Sequence, residues 1–129
     1  IPDVHLVHRE SLREREKPVN DVSIEGRIAR IGERIVEAYE PQKVILFGSH
    51  AYGEAGEDSD IDLFIVKETD AGMVERFVEV KRLIYDPQQR IPVSPLVYTP
   101  EEVEERLAMG DDFVKDILRR GKVLYEKAS

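Results

Sequence analysis

The sequence predicts an α+β domain, an α/β-type sandwich in which a small mixed sheet is flanked by helices. Three observations carry this. Val44 to Phe47 and Ile61 to Val66 are short, continuous apolar runs, as in strands buried on both faces. Only a short connection separates them, which points to neighbouring strands of a mixed sheet. Around them lie segments whose apolar residues recur at helical spacing, beginning with Ile24, Ile28, Ile31 and Ile35.

Taken in chain order, residues 1–22 are charged, weakly patterned and contain Pro2 and Pro18, and read as an arm or short irregular helix. The folded domain then runs over 23–129. Its first helix covers 23–39 and stops at Pro41. The strand 44–47 follows, then a loop over 48–59 with room for a helical turn, then the strand 61–66. Asp70 is placed to cap a helix whose inward stripe is Met73, Phe77, Val80 and Ile84, and Asp86-Pro87 breaks it. Ile91 to Tyr98 reads as a strand in which Pro92 and Pro95 require an edge position or a bulge. Thr99-Pro100-Glu101-Glu102 starts a helix, with a Thr cap, Pro at the first position and Glu at the third, and Val103 and Leu107 face inward. The acidic run from Glu101 to Glu105 puts negative charge where the helix dipole favours it. Gly110 interrupts, a further helix carries Phe113, Val114, Ile117 and Leu118 to a stop at Gly121, and Val123 to Tyr125 forms a last short strand.

Composition narrows the function. At 129 residues the chain supports one domain with a real core. No apolar stretch approaches the ~20 residues that span a bilayer, and no secretory signal is visible, so no membrane partner is expected. Zero cysteines exclude disulfides and thiolate metal sites and fit a cytoplasmic location. A net charge of −8 argues against long nucleic acid as the ligand, since a phosphate-gripping surface is normally basic. Lys81-Arg82 and Arg119-Arg120 read as ordinary solvated helix faces.

The chemistry concentrates between residues 44 and 66. Asp60 and Asp62 open the second apolar run at i and i+2, so on a strand both carboxylates project from one face while Ile61 points the other way. Paired acids with a shared direction can hold a divalent cation such as Mg²⁺. The Gly48-Ser49 turn that ends the first run, with Gly53 and Gly56 beyond it, lets backbone N–H groups approach a phosphate closely. Metal and phosphate together indicate nucleotide chemistry.

Phe47-Gly48-Ser49 followed by Asp60-Ile61-Asp62 resembles the Gly-Ser-x10-Asp-x-Asp signature of the DNA polymerase β nucleotidyltransferase superfamily. The fuller string from Gly48 to Leu63, with Thr99-Pro100-Glu101-Glu102 and Gly121 to Glu126, is similar to the minimal nucleotidyltransferases of archaea and bacteria. The resemblance implies a nucleotidyltransferase fold and transfer of a nucleoside monophosphate, AMP from ATP, to a protein or small-molecule acceptor. Gly48 and Ser49 would cradle the β- and γ-phosphates, while Asp60 and Asp62 would act catalytically by holding two Mg²⁺ ions. It also implies a helical partner of HEPN type in a toxin–antitoxin pair, and leaves a homo-oligomer open. The family's third carboxylate, aligned backward from Thr99-Pro100-Glu101, falls on Ser94, and a neutral hydroxyl there removes an anionic oxygen from one metal. Asp86, Glu57 and Asp58 are the acids that could replace it from loops, although no spacing favours them. The alternative function is therefore a catalytically impaired nucleotide-binding subunit that neutralises a helical partner by binding.

Other residues have plainer readings. His50 is read as a surface-loop histidine beside the phosphate turn, and His5 and His8 as part of the charged arm. Tyr52 either stacks on a base or packs against the sheet.

Overall fold

The computed structural model describes residues 4–5, 23–56, 59–89 and 91–128. Val4–His5 forms a two-residue strand, β1, so this part of the expected arm is a strand pairing; the rest of 1–22, His8 included, lies outside the described residues. Helix α1 spans Ile24–Tyr39, capped by Ser23, whose hydroxyl accepts from the Gly26 N–H at 3.1 Å. It ends where Glu40 turns left-handed at φ 53° ahead of Pro41.

Strand β2 (Lys43–Phe47) leads into the one-turn helix α2 (Ser49–Tyr52), and β3 (Ile61–Val66) returns antiparallel to β2. Helix α3 (Met73–Leu83) then crosses over to β4 (Val93–Tyr98), which pairs in parallel with β3. Helices α4 (Pro100–Ala108) and α5 (Asp112–Arg120) bring the chain back to β5 (Lys122–Lys127), antiparallel to β2. Among the described residues the sheet order is β1-β5-β2-β3-β4, a mixed sheet with five helices. No helix among the described residues is long and apolar enough to cross a membrane.

Strand pleating divides the interior into two layers. Ile61, Leu63 and Ile65 of β3 face α1 and α3, joining Ile31, Ile35, Val44, Leu46 and Val80. Phe64 on the opposite face joins Ile45, Tyr98, Val114 and Ile117, with Val103 and Leu107 of α4 packed around them. The sheet is thus covered on both faces, which is why its central strands read as unbroken apolar runs.

The α4 start has the expected form: Thr99 accepts from the Glu102 N–H at 3.1 Å, Glu102 accepts from the Thr99 N–H at 2.9 Å, and Pro100 stands first. The edge position expected from the prolines also holds. Pro95 sits within β4, the last strand of the sheet, and Pro92 precedes it. Hydrogen bonds from the N–H groups of Ile61 and Lys67 to the carbonyls of Pro92 and Tyr98 set the phase, so residues 93, 95 and 97 of β4 aim their backbone groups outward. There the Val93 carbonyl accepts from Lys81 Nζ at 2.9 Å and the Val97 carbonyl from Arg76 Nη1 at 3.1 Å.

Two expectations fail. Asp70 does not cap α3; the cap is Gly72, without a side-chain bond, while Thr69 takes the Ala71 N–H at 3.0 Å. The inward row of α3 is Arg76, Val80 and Ile84, whereas Met73 and Phe77 are each 44% exposed. A charged group can occupy that row because it is fully matched: Arg76 donates Nε to the Ala71 carbonyl at 2.7 Å and a two-pronged pair to Glu102 at 2.7 and 3.2 Å. On α5, Val114 and Ile117 point into the second layer with Leu118 packed beside them, while Phe113 stays on the surface at 52% exposure.

The junction from α5 to β5 depends on Gly121. A Cβ there would stand 2.6 Å from the Ile117 carbonyl oxygen and 3.1 Å from that of Leu46, so α5 meets the end of β2 with no space between them.

Candidate active site

The site lies at the end of the sheet where β2 finishes and β3 and β4 begin. Phe47, the last residue of β2, is the register partner of Asp62, so Gly48 leaves the sheet alongside that acid. Gly48 adopts φ 75°, ψ −161°, a conformation open to glycine. A Cβ at this position would fall on Asp62 Oδ2 and lie 3.1 Å from its Cγ. The bare glycine backbone therefore faces the carboxylate directly.

Beyond Gly48 the chain winds one turn. The Gly48 carbonyl accepts from the N–H groups of Ala51 and Tyr52, Gly53 is left-handed, and the Glu54 N–H returns to the Ser49 carbonyl at 3.0 Å. His50 Nε2 donates to the Ser59 carbonyl at 2.9 Å, while Ser59 Oγ accepts from the Gly56 N–H at 2.9 Å. Because a carbonyl only accepts, Nε2 carries the hydrogen. The histidine is thus a half-buried brace between the turn and the residue preceding Asp60, more than a surface-loop residue.

Asp60, Asp62 and Ser94 come together. Ser94 is the parallel register partner of Asp62, and its hydroxyl donates to Asp60 Oδ2 at 3.3 Å. Asp62 lies on the same sheet face as Phe64, and burial raises its carboxyl above the ordinary range, with the Asp60 charge adding to the rise and His50 opposing it. Among the described residues neither aspartate takes part in an ion pair. The result is a concentration of unmatched negative charge with hard oxygen donors, suited to a small divalent cation. No group of three acid, histidine or cysteine ligands occurs among the described residues. Asp86 does not substitute: it lines a separate groove, and its Oδ1 accepts from the Gln88 N–H at 2.9 Å. Glu57 and Asp58 lie outside the described residues.

Helix α5 borders the Gly48-Ser49 turn on both sides. Phe113 meets Phe47 edge to face at 5.8 Å, and the Arg120 guanidinium lies 4.2 Å from the Tyr52 ring centre. Tyr52 packs against the core and under Arg120, which favours packing over base stacking. Sequence spacing could not give the Tyr52–Arg120 contact, because it joins residues far apart in the chain. Phe113 carried a faint signal, standing directly after the Asp111-Asp112 helix start and ahead of the apolar Val114 and Ile117.

One strand opening on paired acids, beside a strand that ends in a glycine turn, in a mixed sheet, defines a class that comparison with known proteins names. Residues 28–124 match the model of the nucleotidyltransferase domain, and the chain belongs to that family. A Methanocaldococcus jannaschii protein named "Putative protein adenylyltransferase" is 32% identical over 84 residues, covering 65% of this chain and 78% of that protein. A "putative nucleotidyltransferase" from Sulfolobus solfataricus, known from a crystal structure, is 24% identical at a TM-score of 0.48, covering 61% of this chain and 69% of its own. Family membership bears out the resemblance to minimal nucleotidyltransferases and the α+β nucleotidyltransferase fold, and it supports nucleotidyl transfer as the general chemistry.

Proposed function

We propose that this domain transfers AMP from ATP to a hydroxyl of a protein or small-molecule acceptor, with Mg²⁺ held by Asp60 and Asp62. The observation that carries this reading is the Asp62 carboxylate seated against the Gly48 backbone, with Asp60 tied to Ser94 beside it. Gly48 presents no side chain of its own to a triphosphate entering the turn, and the Ser49 hydroxyl and the turn's N–H groups would serve as donors to its terminal phosphates. The acceptor oxygen bonds to the α-phosphorus, the bond from that phosphorus to the β-phosphate oxygen breaks, pyrophosphate leaves, and the hydroxyl proton passes to solvent. When bound, Mg²⁺ supplies charge stabilisation at the phosphoryl oxygens. The protein's own part is positioning: β3 fixes Asp62 in register with Phe47 and Ser94, the Ser94 hydroxyl holds Asp60, and the His50–Ser59 brace fixes the loop between turn and acids.

A protein acceptor is the preferred one, because the M. jannaschii relative is named for protein adenylylation. With it goes a helical HEPN-type partner, silenced by AMP addition. Ser94 favours a second reading, a nucleotide-binding subunit with impaired catalysis that silences such a partner by binding alone.

Incubation with labelled ATP, Mg²⁺ and a helical HEPN-type protein, should a neighbouring reading frame encode one, separates the two. Label transfer that disappears in Asp60→Asn and Asp62→Asn supports the enzyme. Partner binding without label, unchanged by Ser94→Asp, supports the passive subunit. Absence of saturable Mg²⁺ and ATP binding would remove both.

A further inference from the structure

A second feature occupies the same end of the sheet on its other face. Arg27, Arg30 and Arg34 stand at i, i+3 and i+7 of α1, forming a row about 10 Å long. They line a groove of about 230 Å³ whose floor includes Ile31 and Ile84 and whose far wall includes Gln88 and Gln89. The far wall is held in place: Arg34 Nη1 donates to the Tyr85 carbonyl at 3.4 Å, and Asp86 is turned onto the Gln88 N–H. Among the described residues neither Arg27 nor Arg34 is in an ion pair, and Asp86 is the one carboxylate in the groove's lining, in a chain of net charge −8.

This groove adjoins the candidate active site through the chain itself. Gln89 lies three positions before Pro92, whose carbonyl accepts from the Ile61 N–H between the two aspartates at 2.9 Å. The volume is below that of a pocket enclosing a whole cofactor, and nothing in the nucleotide reading uses these arginines.

We propose that the arginine row docks an acidic peptide segment of the acceptor protein and so presents a neighbouring hydroxyl to the aspartates at the sheet end. A row of guanidiniums fits an extended chain, whose same-face side chains are spaced roughly 7 Å apart, better than it fits a single phosphate. The apolar floor takes the intervening side chains, and the glutamine amides can bond its backbone. A long polyanion is disfavoured by the overall negative charge of the chain. Residues 6–22 are a poor match as an internal occupant, since Glu10, Glu14, Glu16 and Asp21 are balanced there by Arg9, Arg13, Arg15 and Lys17.

This inference rests on the transfer reading for its acceptor, but its test does not need turnover. A fluorescein-labelled decapeptide of alternating glutamate and leucine is titrated with the full chain and followed by anisotropy. Saturable binding is expected, weakened at least about tenfold in Arg27→Ala/Arg34→Ala and restored in part by lysine at both positions. The glutamine–leucine version of the peptide should not bind, and unchanged thermal melting shows that the variants are folded. Equal binding by wild type and variant, no binding by wild type, or tighter binding of a 20-nucleotide RNA at these arginines would each overturn the proposal. So would peptide binding that emerges only in Glu10→Gln/Glu14→Gln/Glu16→Gln, which would make the arm the occupant. ATP and Mg²⁺ titration of the same samples reports separately on the transfer reading.

Discussion

Two clusters of charge in this domain are built on opposite terms. At Arg76, every donor direction that matters is answered, by the carbonyls of Ala71 and Val97 and by both oxygens of Glu102. At Asp62, a partly buried carboxylate has a second acid for a neighbour and no cation in an ion pair among the described residues. The first arrangement holds α3, β4 and α4 together. The second opposes its own ionisation, the arrangement that functional sites favour. Matched charge here marks architecture, and the unmatched pair is where the proposed transfer reading seats its metal.

The contrast is broken most severely at the unmatched pair. Asp62→Asn should reduce labelled-AMP transfer by at least about 100-fold, the upper end of what losing a mere supporting residue of a metal site costs. Its thermal midpoint should be unchanged or higher, since a repulsive charge is removed. A fall in both activity and stability would mean that Asp62 is structural.

At the matched pair the signs reverse. Glu102→Ala strands the Arg76 guanidinium and removes half of the capping box, at a cost of roughly 2 to 3 kcal/mol by urea unfolding. That is below the full range for a buried pair because the Glu102 carboxylate is itself partly exposed. Nucleotide binding should survive in the folded fraction.

A smaller effect is expected from Ser94→Asp, which adds an anion beside Asp60 and Asp62. Mg²⁺ affinity, read by isothermal titration, should rise about tenfold, within the span associated with tuning a metal's surroundings. Weaker Mg²⁺ binding would mean that the serine hydroxyl is required as it stands.

The smallest effect is in the pH dependence of stability, measured in EDTA. Burial and Asp60 raise the Asp62 carboxyl, so the penalty of its charge is lifted as pH falls through the raised value. The Arg76 hydrogen bond lowers the Glu102 carboxyl, so its contribution is complete above the ordinary carboxylate value and is lost as pH falls through the lowered one. The denaturation midpoint should rise slightly on mild acidification and then drop. Asp62→Asn should lack the rise, and Glu102→Gln should lack much of the drop.

How legible these clusters were differs for a physical reason. The strands around the site were plain because burial on both faces leaves no polar interruption, as in Val44 to Phe47 and Ile61 to Val66. The start of α4 was plain because Thr99 and Glu102 are joined within one turn, and local chemistry is written locally. Placing Ser94 at the third position needed only the count back from Thr99, and the structure does put it beside Asp62. Arg76 was invisible because an arginine on an amphipathic helix looks solvated until its partner, 26 positions away, is known. Met73 and Phe77 were misjudged with it, since the true row runs through Arg76, Val80 and Ile84. The strand at Val4–His5 was missed because two residues hold no periodicity; its pairing with Glu126 and Lys127 is entirely long-range.

The outer margin of β4 has one more consequence. Pro95 offers no amide hydrogen there, and Lys81 and Arg76 already occupy the flanking carbonyls. A foreign strand arriving at this side would find its donor row broken at Pro95 and the Val93 and Val97 carbonyls taken, so sheet extension is opposed at that margin. Complexes of this protein are accordingly expected to form through helix surfaces, and co-crystals should show β4 still outermost.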